Sequence, residues 1–180
     1  ETVRDDRDLA TWKATGKAEQ QEALDLNYYL LNEERTLAVM ARELGRTDEA
    51  ARWNVEADAR MQIMRRELYH AGDGVYYGRD LTSDKWAQVL DISTFFPLWC
   101  GLATPEQAVR IAALLHDPQA FGTDYPIATL AVRHMPDRLR GQWHWRGANW
   151  VEMTFLAVQG LRRYGQYDQA ARVAEANCRM

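Results

Sequence analysis

The stretch Gln142–Gly165 reads Gln-Trp-His-Trp-Arg-Gly-Ala-Asn-Trp-Val-Glu-Met-Thr-Phe-Leu-Ala-Val-Gln-Gly-Leu-Arg-Arg-Tyr-Gly. Three of the chain's seven tryptophans, Trp143, Trp145 and Trp150, crowd its first half. Phe155, Leu156, Val158, Leu161 and Tyr164 follow at helical spacing. A polar, aromatic loop therefore feeds a buried helix. Flat indole faces beside the Arg146 guanidinium and the Asn149 amide suit a polyhydroxylated ring. Sugar C–H faces stack on indoles, and sugar hydroxyls need fixed donors and acceptors. The same residues would also serve as a core cluster around a paired Arg. Both readings stand at this point, with Trp143, Trp145, Arg146, Gly147, Asn149 and Trp150 as the candidates.

Working outward, the helix ends at Gly165, and Asp168-Gln169-Ala170-Ala171-Arg172 opens the next one. The same arrangement stands near the other end of the chain, where Gly45 is followed by Asp48-Glu49-Ala50-Ala51-Arg52. Upstream of Gly45, Leu24, Leu31, Leu37, Met40 and Leu44 mark a long helix beginning near Glu19. Downstream, Thr47 is the expected cap of a second helix reaching Leu68. Two such pairs point to a repeated α-hairpin, the unit of α-solenoids and α/α toroids. Between them, Val75-Tyr76-Tyr77 and Trp86–Leu90 read as one small β-hairpin. Helices resume over Ser93–Cys100 and, capped by Thr104 with Pro105 in the first turn, over Pro105–Leu115. His116–Gly141, with three prolines and little periodicity, forms a long loop carrying Asp124-Tyr125-Pro126-Ile127, where Tyr125 is a candidate aromatic wall.

The bulk properties narrow the function. A chain of 180 residues suits one domain, here 1–180, and a formal net charge of −4 with no basic stripe argues against nucleic-acid or anionic-membrane partners. No apolar run approaches the roughly 18 residues of a membrane span. Cys100 and Cys178 have no metal-ligand spacing, the four histidines are scattered, and no nucleophile or phosphate-loop motif occurs. The remaining chemical candidates are carboxylates and hydroxyl binders. Asp25, Asn27 and Tyr28, beside a helix start, are placed either to cap it or to bind hydroxyls.

Taken together, Asp25-Leu26-Asn27, Tyr76-Tyr77-Gly78-Arg79-Asp80-Leu81, Phe95-Phe96-Pro97-Leu98, Phe121-Gly122-Thr123-Asp124-Tyr125-Pro126-Ile127, Trp145-Arg146-Gly147-Ala148-Asn149-Trp150 and Gly160–Gly165 occur in an order that resembles glycoside hydrolase family 63 and the related trehalases. The resemblance runs from about Ala23 to the end, and Trp145-Arg146-Gly147 favours family 63. It implies an all-α fold, helical hairpins of an (α/α)6 toroid with one small β-hairpin insertion. It also implies inverting hydrolysis of an α-linked glucoside or mannoside, without cofactor or metal. In the family, the residues matching Asp25, Asn27, Trp145, Arg146 and Trp150 line the sugar pocket.

Two departures bear on the chemistry. The family's general acid matches Asp5, though the glycine that precedes it in the family is absent. The family's general base is a Glu that would follow Met180. The expectation is thus a partial barrel that carries the sugar-binding part, has negligible activity alone, and leaves apolar helix faces for a second chain or further helices to cover. The competing reading is a non-catalytic α-hairpin domain that binds carbohydrate or a protein partner.

Overall fold

The computed structural model describes residues 23–135 and 147–179. Among these, helices α1 (Leu24–Glu43), α2 (Thr47–Glu67), α3 (Phe96–Trp99), α4 (Pro105–Ala113), α5 (Val151–Arg163) and α6 (Tyr167–Cys178) pair in sequence into three hairpins. A 3-10 turn, Ile92–Phe95, leads into α3, and a second one, Leu114–His116, extends α4.

The three hairpin turns are built alike. Gly45, Gly101 and Gly165 each take a left-handed φ, of 72°, 68° and 73°. In each, the glycine N–H and the next N–H reach back over the helix end: Gly45 to Arg42 and Arg46 to Ala41, Gly101 to Leu98 and Leu102 to Pro97, Gly165 to Arg162 and Gln166 to Leu161. These are Schellman motifs, which satisfy carbonyls the helix end leaves open and need a residue without a Cβ penalty at positive φ. After the first and third, Arg46 and Gln166 adopt closely similar backbone angles, so the next helix starts at once. Ala50 and Ala170 then turn inward as buried residues. The repeated Asp-x-Ala-Ala-Arg phrase is a repeated turn.

Several expectations are corrected at this level. Thr47 is the first helical residue and caps nothing. The cap position falls on Arg46, which makes no side-chain cap bond, because the Schellman turn leaves no spare residue. By contrast, Thr104 closes a full capping box with Gln107. The long helix begins at Leu24, with Ala23 as its cap residue. In place of one β-hairpin there are two short ones: Tyr69–His70 (β1) pairs with Val75–Tyr76 (β2), and Gly78–Arg79 (β3) with Trp86–Ala87 (β4). Gly72-Asp73-Gly74 folds the chain back at once, with Gly74 at φ 75°, and the Tyr69 and Tyr76 rings meet across the pair at 5.1 Å. Two-residue strands are held by such local pairs, which outcompete the longer-range pairing of Val75–Tyr77 with Trp86–Leu90.

The core lies between the hairpins. Phe95, Phe96, Leu98, Leu102, Ile111, Leu115, Phe121, Leu161 and Val173 are almost fully enclosed. Helix α3 packs tightly against α5, where a Cβ on Gly160 would stand 2.6 Å from the Trp99 nitrogen. Not every apolar face is covered. Leu26, Leu30, Leu37, Met40 and Leu44 lie along one exposed stripe of α1, and Val151 and Phe155 are exposed on α5. These faces stand on the first and last helices of the row α1–α3–α5.

Candidate functional site

The contacts of three residues, Tyr29, Arg35 and Arg163, fix the direction of that row. Tyr29 of α1 packs edge-on against Phe96 and Trp99 of α3, at 6.0 and 5.8 Å, and its hydroxyl reaches Met153 of α5 at 3.5 Å. Farther along, Arg35 of α1 donates to the Cys100 carbonyl, and Arg163 of α5 donates to the Trp99 carbonyl at 3.0 Å. Successive residues of α1, α3 and α5 therefore match in the same direction, and the three helices run parallel. Their N-termini share one end of the arc. The three Schellman turns leave from the opposite ends of these helices, while the connection 68–91 leads to the start of α3 and the described residues 117–135 and 147–150 lie between α4 and the start of α5. Long loops at the positive ends of helices are where a polar ligand is most readily held.

The loop residues at this end are closely stitched together. Asp91 precedes the 3-10 turn, and its Oδ1 accepts from the Ser93 N–H at 2.8 Å and the Ser93 hydroxyl at 2.5 Å. Its backbone forms an antiparallel bridge with Leu130. Ile92 N–H donates to Thr129 O at 3.2 Å, and Thr129 N–H to Ala148 O at 2.9 Å. The Thr129 hydroxyl accepts from the Gly147 N–H at 2.8 Å. Gly147 itself has φ 124°, and a Cβ there would meet the Met135 sulfur at 2.8 Å, so only glycine fits. Asn149 donates to the carbonyls of Pro126 and Tyr125 at 3.0 and 3.3 Å. Trp150 supplies the cap residue of α5 and is partly buried, whereas Tyr125 remains half exposed.

Burial raises the Asp91 pKa above its ordinary carboxylate value. The Ser93 hydrogen bonds oppose this shift and the charge of Asp25 adds to it. Asp25 is exposed in the first turn of α1, and Glu152 is exposed in the first turn of α5. This end of the arc thus brings together Asp25, Tyr125, Gly147, Asn149 and Trp150 with a second acid, Asp91, that the sequence reading passed over. Its signal was present as Asp91-Ile92-Ser93, an acceptor followed two residues later by the group it caps.

Not all the expected residues gather here. Asp25 and Asn27 are two positions apart on a helix, about 200° around it, so they cannot face one pocket. Asn27 turns toward α2, donating to Ala23 O at 2.8 Å and accepting from Arg60 at 3.2 Å. Arg60 also grips the nearly buried Glu34 carboxylate, at 2.7–3.0 Å through Nε and Nη2. Asn27, Glu34 and Arg60 line a cavity of about 540 Å³ between α1, α2 and the β3–β4 turn. Tyr28 is fully buried, edge-on to Phe96 at 6.3 Å, and its hydroxyl finds no partner among the described residues. Burial, and then the neighbouring Cys100, push its pKa well above the ordinary phenol value. Asp5, Trp143, Trp145 and Arg146 lie outside the described residues. Among the described residues, no group of three His, Cys, Asp or Glu side chains is placed to hold a metal, and no helix is long and apolar enough to cross a membrane.

Comparison with known proteins gives this geometry its context. The family model of the mannosylglycerate hydrolase MGH1-like glycoside hydrolase domain matches residues 2–180. A mannosylglycerate hydrolase from Rubrobacter radiotolerans is 31% identical over 161 residues, covering 86% of this chain and 35% of that protein. A periplasmic trehalase from Salmonella schwarzengrund is 32% identical over 153 residues, covering 83% of this chain and 25% of that protein. Among solved structures, the neutral trehalase of Saccharomyces cerevisiae aligns with a TM-score of 0.75 at 24% identity, over 89% of this chain and 31% of its own. The chain spans about a quarter to a third of the length of the curated relatives it matches. Its parallel row of inner helices, each returning through an antiparallel outer one, is part of an (α/α)6 toroid. With the match running nearly from end to end, the chain belongs to the MGH1-like glycoside hydrolase family.

Proposed function

We propose that this chain holds an α-linked glucoside or mannoside where α1, α3 and α5 begin, and that hydrolysis with inversion takes place there once the barrel is complete. What supports this reading is that Asp25, Asp91 and Trp150 stand at the starts of α1, of the 3-10 turn into α3, and of α5, with the Tyr125 carbonyl held by Asn149 beside Trp150. Carboxylates accept from sugar hydroxyls and aromatic faces stack on sugar rings, so the two together fit a glycoside better than an apolar ligand. Trp143, Trp145 and Arg146 extend the same wall in sequence, and Asp5 is the proposed general acid.

Inversion requires a second carboxyl across the scissile bond, roughly 6.5–9.5 Å from the acid, to activate water. In this account that base comes from further helices, which would also cover Leu26, Leu30, Leu37, Met40 and Leu44 on α1. Those further helices belong to the remainder of the barrel or to a second chain. The test is an assay of the 180-residue chain, alone and in a polypeptide extended by the following helices, on trehalose, mannosylglycerate and an aryl α-glucoside. The extended protein should hydrolyse one of these with inverted anomeric configuration, and the isolated chain should not. Turnover by the isolated chain, or retained configuration, would overturn the proposal.

A further inference from the structure

Asn149 is expected from the sequence to bind substrate, yet its amide nitrogen is already engaged. It donates to Tyr125 O and Pro126 O, and stands 3.5 Å from Asn177 Oδ1 on α6. Thr129 is engaged from the other side, its N–H on Ala148 O, its hydroxyl under the Gly147 N–H and its carbonyl on Ile92 N–H. Between these anchors stands Ile127, fully buried and held at φ 63°. A β-branched residue is a genuine outlier in that region and persists only where its surroundings over-determine it. Here the surroundings are the turn 147–150, bonded to both ends of the segment Tyr125–Thr129. Each partner in this clamp carries one of the site's aromatics, Tyr125 on the loop and Trp150 on the turn.

We infer that Asn149 and Thr129 are positioning residues: they lock the strained Tyr125–Thr129 loop onto the 147–150 turn, and so fix the spacing between Tyr125 and Trp150 across which a glycoside is held. This inference rests on the proposed function of that end of the arc. It separates Asn149 from the groups that touch sugar. It also explains why a buried isoleucine tolerates a backbone shape better suited to glycine: relaxation there would carry Tyr125 away, while Phe121 and Ala131 stay in the core.

Isosteric substitutions test the clamp in the full chain. Asn149→Asp keeps the shape but loses the donor, and Thr129→Val keeps the volume but loses the acceptor. Thr129→Ser keeps the hydroxyl. Amide hydrogen exchange should quicken about tenfold at Thr129 in N149D and at Thr129 and Gly147 in T129V, the loss of one such bond, with the helices unchanged. T129S should match the parent. Binding of trehalose and of mannosylglycerate should weaken about tenfold in N149D and T129V and remain in T129S. Unchanged exchange in N149D and T129V overturns the clamp. Faster exchange with undiminished sugar binding overturns its role in the site. A parent chain that binds neither sugar counts against the proposed function instead, and the clamp is then decided by exchange alone.

Discussion

Gly160 of α5 lies against the backbone of Trp99 so closely that no side chain fits between them: an added Cβ would sit 2.6 Å from the Trp99 nitrogen and 2.7 Å from Leu98 Cβ. This contact draws two of the three inner helices together, and Arg163, one turn further along, ties α5 to the Trp99 carbonyl at 3.0 Å. Gly160→Ala should therefore destabilise the chain by roughly 1–3 kcal/mol, the usual penalty of overpacking. In thermal melts that is roughly 2–4 °C for each kcal/mol. Gly45→Ala is the control. Nothing lies within 4 Å of its added Cβ, so its only cost is the left-handed φ of 72°, roughly 1–2 kcal/mol. A loss below roughly 1 kcal/mol in Gly160→Ala would show that α3 and α5 do not approach so closely.

Asp91 links stability to pH. Its pKa is raised by burial above the ordinary value of 3.8, so the folded chain keeps a proton that the unfolded chain releases. The stability it contributes is full below that ordinary value and is lost as pH rises through the folded one. Asp91→Asn keeps an acceptor for the Ser93 N–H and removes the ionisation. Urea midpoints measured from about pH 3 to about pH 7 should favour D91N over the parent progressively as pH rises. A variant that is least stable, relative to the parent, at neutral pH would contradict this environment for the carboxyl.

The two thiols should differ in reactivity. Cys100, the residue that ends α3, is buried and its pKa is pushed up to about 11, chiefly by burial. Cys178 is exposed near the end of α6. Since the thiolate is the reactive form, a thiol-labelling reagent at mildly alkaline pH should modify Cys178 quickly and reach Cys100 only on unfolding. Rapid labelling of both in the native chain would mean that the cover over Cys100 opens readily.

The parts of this architecture that could be read from the sequence are those written in local chemistry. Gly45 and Gly165 stand out because an Asp-x-Ala-Ala-Arg phrase follows each, and the structure makes both the same turn. Gly101 builds the third such turn but escaped notice, because α3 is short, opens through a 3-10 turn and is followed by Leu102-Ala103 before its partner is capped. The β pairing was misread for a related reason: strands of two residues carry no alternation, and the Tyr69–Tyr76 contact decides their register.

The proposed site was legible in composition more than in geometry. Asp25, Tyr125, Gly147, Asn149 and Trp150 do share one end of the arc. The helix rotates Asn27 onto the α2 side, where it meets Arg60, and Tyr28 into the core beside Phe96. Asp91 went unnoticed because one carboxylate ahead of a helix reads as a cap. What distinguishes it is a tertiary fact, its bridge to Leu130 and its place between the starts of α1 and α5.

The most direct test of the account is a map of backbone amide shifts in the isotopically labelled chain as trehalose or mannosylglycerate is added. The shifted resonances should cluster at Asp25, Asp91, Tyr125 and Gly147–Trp150, where the inner helices begin. Gly45, Gly101 and Gly165, at the Schellman turns, should stay still. Shifts centred on those turns, or none with either sugar, would contradict it.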